Sequence, residues 1–124
     1  MLFRSEMAAI KGDLAERLRQ SQQAAMRDVW ERLFERVQHM VERLSDPKSR
    51  FHDSLIDNAR ELCALLPRLN FADDPNLEAM RSEVEAKLAS HNPENLRNNV
   101  ALRQNTAAEA KAIMDKMSVF MGGL

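Results

Sequence analysis

The chain has 124 residues, 30 % of them charged and 44 % apolar, and a net charge of −1. That is enough for one domain with a real hydrophobic core, and the balance is not that of a disordered chain. Near-cancellation of 18 basic and 19 acidic side chains excludes a global field for holding nucleic acid, and equally a carboxylate surface that imitates DNA.

Tyr is absent, Gly is rare, and Ala, Leu, Arg, Glu and Met abound, which is a helix former's composition. A single cysteine, Cys63, allows no internal disulfide and no thiolate metal cage. Arg4 and Glu6 interrupt the apolar start, so no secretory h-region is read there. No apolar run approaches the roughly 20 residues needed to cross a bilayer. A cytoplasmic protein without a membrane partner is expected.

Three dipeptides punctuate the chain: Asp46-Pro47, Asp74-Pro75 and Asn92-Pro93. Each joins a good N-cap side chain to a proline at the first helical position, and each pushes the preceding residue out of helical geometry. They predict four helical segments. The first runs from about residue 5 to 44. Its second half places Met26, Trp30, Leu33, Val37, Met40 and Leu44 at alternating spacings of four and three, a heptad seam. Val29, Phe34 and Val41 widen the stripe toward that of a bundle. Its first half carries a separate run, Phe3, Met7, Ile10, Leu14 and Leu18, out of phase with the seam and divided from it by the polar stretch Arg19 to Gln23. Residues 1–24 are therefore expected to form an N-terminal extension that projects or bends toward a partner, with residues 25–124 as the bundle.

The second segment, about 47–66, offers Phe51, Leu55, Ala59, Leu62 and Leu66 to the core and is expected to stop at Pro67. The third, about 75–90, offers Leu77, Met80, Val84 and Leu88. The fourth, about 93–121, offers Leu96, Val100, Ala107, Ala110, Met114, Met117 and Met121, with Gly122-Gly123 as its C-cap. Ala107, Ala108, Ala110 and Ala112 give it a smooth flank for close helix approach. The predicted fold is an all-α helical bundle of about four helices with a long N-terminal helix.

Few residues invite a chemical role. Asp73 and Asp74 with Asn70 and Asn76 could hold Mg²⁺ or Ca²⁺, but no calcium-binding spacing follows, and capping of the third helix accounts for an aspartate there. His39, His52 and His91 lack the spacings that put two ligands on one helical face. His52-Asp53-Ser54 names the parts of a hydrolase triad, yet consecutive helical residues point about 100° apart and cannot relay a proton. Cys63 reads as a small buried hydrophobe rather than a nucleophile. No catalytic, cofactor-binding or metal residue is predicted.

Three surface features remain as candidate partner-binding residues. Asp53, Asp57 and Glu61 form an acidic line, with Arg50 and Arg60 close enough to compensate it or a basic protein surface to dock on it. Arg32, Arg36 and Arg43 alternate with Glu31, Glu35 and Glu42, the pattern of a solvated face laced with salt bridges. Phe120 and Met121, after Val119, mark where an exposed apolar patch is expected.

Trp30 with its following heptads, Phe51-x-x-Ser54-Leu55-x-x-Asn58, Leu66-x-x-Leu69-Asn70, Asp74-Pro75 and Ile113-Met114-x-x-Met117-x-x-Phe120 carry a resemblance. Over about residues 26 to 121 the chain resembles the helical C-terminal part of an uncharacterised family of phage and mobile-element proteins. The resemblance implies a source in a bacteriophage or mobile element, hence the cytoplasm of a bacterial host cell, and carries no activity with it.

The function expected from these features is non-enzymatic: binding to a larger protein complex of host or phage through a helical surface. Its most concrete form is an inhibitor of a bacterial defence complex, such as an anti-CRISPR protein. Two alternatives stand beside it: a nucleic-acid-associated factor working through Arg27, Arg32, Arg36 and Arg43, and a scaffold whose first helix makes a homo-oligomer. Nucleic acid is not the expected direct ligand, and no cofactor is expected.

Overall fold

A computed structural model describes residues 4–46 and 48–122, and every regular element among them is helical. Phe3, the side chain of Met7, Pro47 and Gly123, which entered the predicted stripe and caps, lie outside the described residues. Helix α1 spans Arg4–Ser45, α2 Ser54–Leu69, α3 Pro75–Val84, α4 Pro93–Asn98 and α5 Val100–Met121. Its 42 residues make α1 about 63 Å long at 1.5 Å per residue. The all-α bundle with a long first helix is thus the observed fold.

The seam in the second half of α1 builds the core. Met26, Val29, Trp30, Leu33, Val37, Met40 and Leu44 are all buried, with Phe34 and Val41 half-buried beside them. Helix α5 packs chiefly along this face, α2 lies against α1, and α3 closes over α2 and α5. Ala107 and Ala110 let α5 approach closely, while Ala108 and Ala112 face solvent. From Ala9 to Ala25, by contrast, every residue of α1 is exposed, Ile10, Leu14 and Leu18 among them.

Two dipeptides cap as the sequence indicates. Asn92 Oδ1 accepts from Glu94 N–H at 2.9 Å. Asp74 Oδ1 accepts from Asn76 N–H at 2.9 Å and Leu77 N–H at 3.3 Å, so this aspartate is the N-cap of α3. Asp73 before it sits at φ 50°, in the left-handed region that Asp tolerates better than most residues.

Three boundaries differ from expectation. Helix α2 starts at Ser54 rather than near residue 47, because the carbonyls it would have used are committed to arginines from α4 and α5, as described below. Asp46 instead folds back, its Oδ1 accepting from Lys48 N–H at 2.9 Å. This later start turns Ile56, Ala59, Cys63 and Leu66 inward and leaves Leu55 and Leu62 half-buried. At its other end α2 does not stop at Pro67 but continues to Leu69. The ring removes only one donor, Leu69 still packs on the core, and Asn70 N–H closes the end on Leu66 O at 2.8 Å.

The third difference is a break in the last segment at Asn99 (φ −128°, ψ 102°), whose Oδ1 accepts from Leu102 N–H at 3.0 Å and caps α5. Past the break Val100 is exposed; Ala107, Ala110 and Met117 of the expected stripe are buried, and Arg103, Thr106 and Ile113 are buried beside them. Met114 and Met121 end half-buried. Helix α3 itself runs on through a π-helical turn, Glu85–Ala89, whose extra residue per turn leaves the consecutive Leu88 and Ala89 both inside.

Candidate functional site

Arg103 is the one buried cation in the described core, 7 % exposed, and it has no carboxylate partner. Its Nε donates to Leu44 O at 3.2 Å, and its Nη2 lies 2.7 Å from Arg43 O, 2.7 Å from Asp46 O and 2.6 Å from Ser49 O. Two of these carbonyls belong to the last turn of α1, where helix ends leave unsatisfied acceptors and a negative dipole end. One guanidinium therefore caps α1 and staples the turn that follows it.

Arg97 of α4 completes the clamp. Its Nη2 donates to Phe51 O at 3.1 Å and its guanidinium pairs with Asp53. The Phe51 ring has both the Arg97 and the Arg103 guanidinium carbon 5.0 Å from its centroid. The segment between α1 and α2 is thus fixed by side chains more than 40 positions away in the chain.

This clamp sets a cleft of about 280 Å³ between α1 and α2. Arg36, His39 and Arg43, on successive turns of α1, line one side; Arg50 and His52, from the clamped segment, line another. Ser54 and Asn58 supply polar groups from the first turns of α2, which has no side-chain N-cap bond. No Asp or Glu lines the cleft. The guanidinium groups of Arg36, Arg43 and Arg50 make no ion pair or hydrogen bond among the described residues. Of Arg32, Arg36 and Arg43, for which salt-bridge lacing is expected, only Arg32 forms an ion pair among the described residues, with Asp28 at 3.4 Å and not with a neighbouring glutamate.

The acidic line is partly consumed within the fold. Arg97, not Arg50, meets Asp53, and Arg60 lies 3.8 Å from Asp57. Arg60 spends its donors mainly on Ala89 O, at 3.1 and 2.8 Å, capping the π-helical turn. Glu61 lines a shallow groove with Arg32, Glu35 and Arg36. The expected apolar patch at the end of α5 shrinks to Val119. Phe120 is half-buried with its ring centroid 5.9 Å from that of Trp30, and Met121 packs on the core, because the helix end turns them toward α1.

Asp74 is also spoken for. Besides capping α3, its Oδ2 accepts from Trp30 Nε1 at 3.0 Å, and Asn70 brackets its backbone with bonds of 2.9 and 3.0 Å. Among the described residues no group of three or more His, Cys, Asp or Glu is placed to hold a metal ion. Cys63 is buried, its Sγ 3.9 Å from Arg81 O, and desolvation pushes its thiol up to about 11, with Glu85 adding to the shift. A thiol held so firmly protonated is a poor nucleophile at neutral pH.

Sequence reasoning missed Arg97 and Arg103, and it did not join Arg50, His39 and His52 to Arg36 and Arg43. The signals were there: Asn99 as a second cap within the last segment, and Arg103 on the apolar stripe itself, three residues after Val100 and four before Ala107. No helix among the described residues is long and apolar enough to cross a membrane. No protein-family model, no curated protein and no solved structure matches the chain.

Proposed function

We propose that this is a non-enzymatic binding module that docks on a protein partner through the uncovered part of α1. The observation that carries this reading is the run from Ala9 to Ala25, all exposed, with Ile10, Leu14 and Leu18 being 48, 58 and 61 % exposed along one side. Those 17 positions span about 25 Å of helix. An amphipathic helix that leaves its apolar stripe in water is a ready anchor for a groove in another protein. Following the resemblance, the concrete version is a phage or mobile-element protein that inhibits a defence complex of the bacterial host.

The test compares the wild-type chain with Leu14→Asp and Leu18→Asp variants in affinity capture from a bacterial lysate treated with nuclease. A stoichiometric protein retained by the wild type and lost by both variants supports the reading. Retention unaffected by either variant removes the stripe as the anchor. The same stripe also favours a second reading, self-association, because two copies can bury it against each other. Sedimentation of the purified chain over a range of concentrations separates the two: dimerisation abolished by Leu14→Asp supports the scaffold.

A further inference from the structure

We propose that the cleft between α1 and α2 binds the phosphate end of a small phosphorylated molecule. Three unpaired guanidinium groups, Arg36, Arg43 and Arg50, line one cleft that contains no carboxylate, and His39 and His52 stand beside them. Like charges gathered this way repel each other, and no carboxylate among the described residues forms an ion pair with any of the three, although Glu35 and Glu61 line the groove on the other side of Arg36. An anion seated among them offsets that repulsion, and the forked geometry of guanidinium suits phosphate oxygens.

The placement is preorganised. Arg50 and His52 belong to the segment whose carbonyls at Asp46, Ser49 and Phe51 are held by Arg103 and Arg97. Arg36, His39 and Arg43 ride on α1, whose buried Val37, Met40 and Leu44 fix that face in the core. No loop has to order before an anion binds, so the ordering cost is confined to the exposed arginine side chains themselves.

Size and surroundings select the ligand class. At about 280 Å³ the cleft lies just below the range that holds drug-sized molecules, and it fits one or two phosphate groups. An adjoining trough of about 600 Å³ shares Arg50 and His52 with it and leaves room for the organic remainder. A nucleic-acid strand fits less well. The aromatic ring at the site, Phe51, is buried against Arg97 and Arg103 and offers no face for base stacking. The net charge of −1 also gives the chain no general attraction for a long polyanion.

The experiment is calorimetric titration of the full chain with pyrophosphate, repeated with inorganic phosphate and with a DNA duplex. The probes are run against the wild type, Arg36→Ala, Arg43→Ala and, at the far end of α2, Arg68→Ala. Thermal melts establish that each variant keeps the wild-type fold. Saturable binding of one pyrophosphate per chain is expected, weakened roughly tenfold or more by Arg36→Ala and by Arg43→Ala and unchanged by Arg68→Ala. Absence of saturable pyrophosphate binding overturns the proposal, as does equal weakening by Arg68→Ala. Duplex DNA bound more tightly than pyrophosphate, with the same arginine dependence, also overturns it and makes the cleft a nucleic-acid contact.

Discussion

The indole N–H of Trp30 donates to Oδ2 of Asp74 at 3.0 Å, while Oδ1 of the same carboxylate caps α3. One side chain thus satisfies a buried donor of α1 and the orphan amides of a second helix, and it locks the register between them. Trp30 is 1 % exposed, so its N–H has no recourse to water.

Asp74→Ala should therefore cost more than an ordinary cap. Loss of the cap accounts for about 1 kcal/mol, and the stranded indole N–H for about 1–3 kcal/mol more. Asp74→Asn keeps an acceptor for the α3 amides but turns an NH2 toward the indole N–H, so it should cost about 1–3 kcal/mol, the part due to the stranded indole. Urea denaturation followed by far-ultraviolet circular dichroism, which does not depend on the single tryptophan, measures both. In a Trp30→Phe background the cost of Asp74→Ala should fall to that of the cap alone; an unchanged cost would mean that the indole bond contributes nothing.

Arg103→Ala should be among the most destabilising single changes outside the aliphatic core, at about 3 kcal/mol or more. Four carbonyls lose a charged donor and the turn after α1 loses its staple. Arg103→Lys should recover only part of this, because an ammonium on a flexible stem cannot reproduce the fork. An unfolding free energy for Arg103→Ala within about 1 kcal/mol of wild type would show that the turn holds without its clamp.

Glu83 joins α3 to α5 through Lys116 Nζ at 2.8 Å and also meets Lys87 at 3.0 Å. The hydrogen bond from Lys116 is the main reason that its carboxyl is held below the ordinary value of 4.5. The ionised form is favoured in the fold, so the contribution is present above that value and fades as pH falls through the lower native one. Glu83→Gln should cost roughly 0.5–1 kcal/mol at pH 7. The gap between variant and wild type should close under strongly acidic conditions, and a constant gap across the pH range would contradict the linkage.

Cys63 should resist thiol reagents at pH 8 in the native state and react at once in denaturant. Burial both blocks access and keeps the thiolate scarce, with the thiol pushed up to about 11. Rapid labelling of the native protein would place the thiol on the surface.

Trp30, Leu33, Val37, Met40 and Leu44 were legible as core because a heptad period survives any neighbour: the seam must face something apolar. Asp74 and Asn92 were legible as caps for the same local reason, since a cap is satisfied by amides two or three residues on. The exposed stripe of Ile10, Leu14 and Leu18 could also be seen as separate from the core, because its phase does not continue into the seam.

What the chain does with its arginines was not legible. Arg103 falls on the stripe read for the last segment, between Val100 and Ala107, but nothing local shows what would hold a cation there, because its acceptors lie 54 to 60 positions away. The same long-range clamp delays α2, carries Arg50 to Arg36 and Arg43, and assigns Asp53 to Arg97. Periodicity and capping are local properties, so the sequence alone determined the core faces of α1 and α3 and the all-α class. A cation held by backbone carbonyls has no sequence pattern, because every residue carries that acceptor. Only the packing of α4 and α5 against the end of α1 decided which arginines would serve the fold and which would be left to line a cleft.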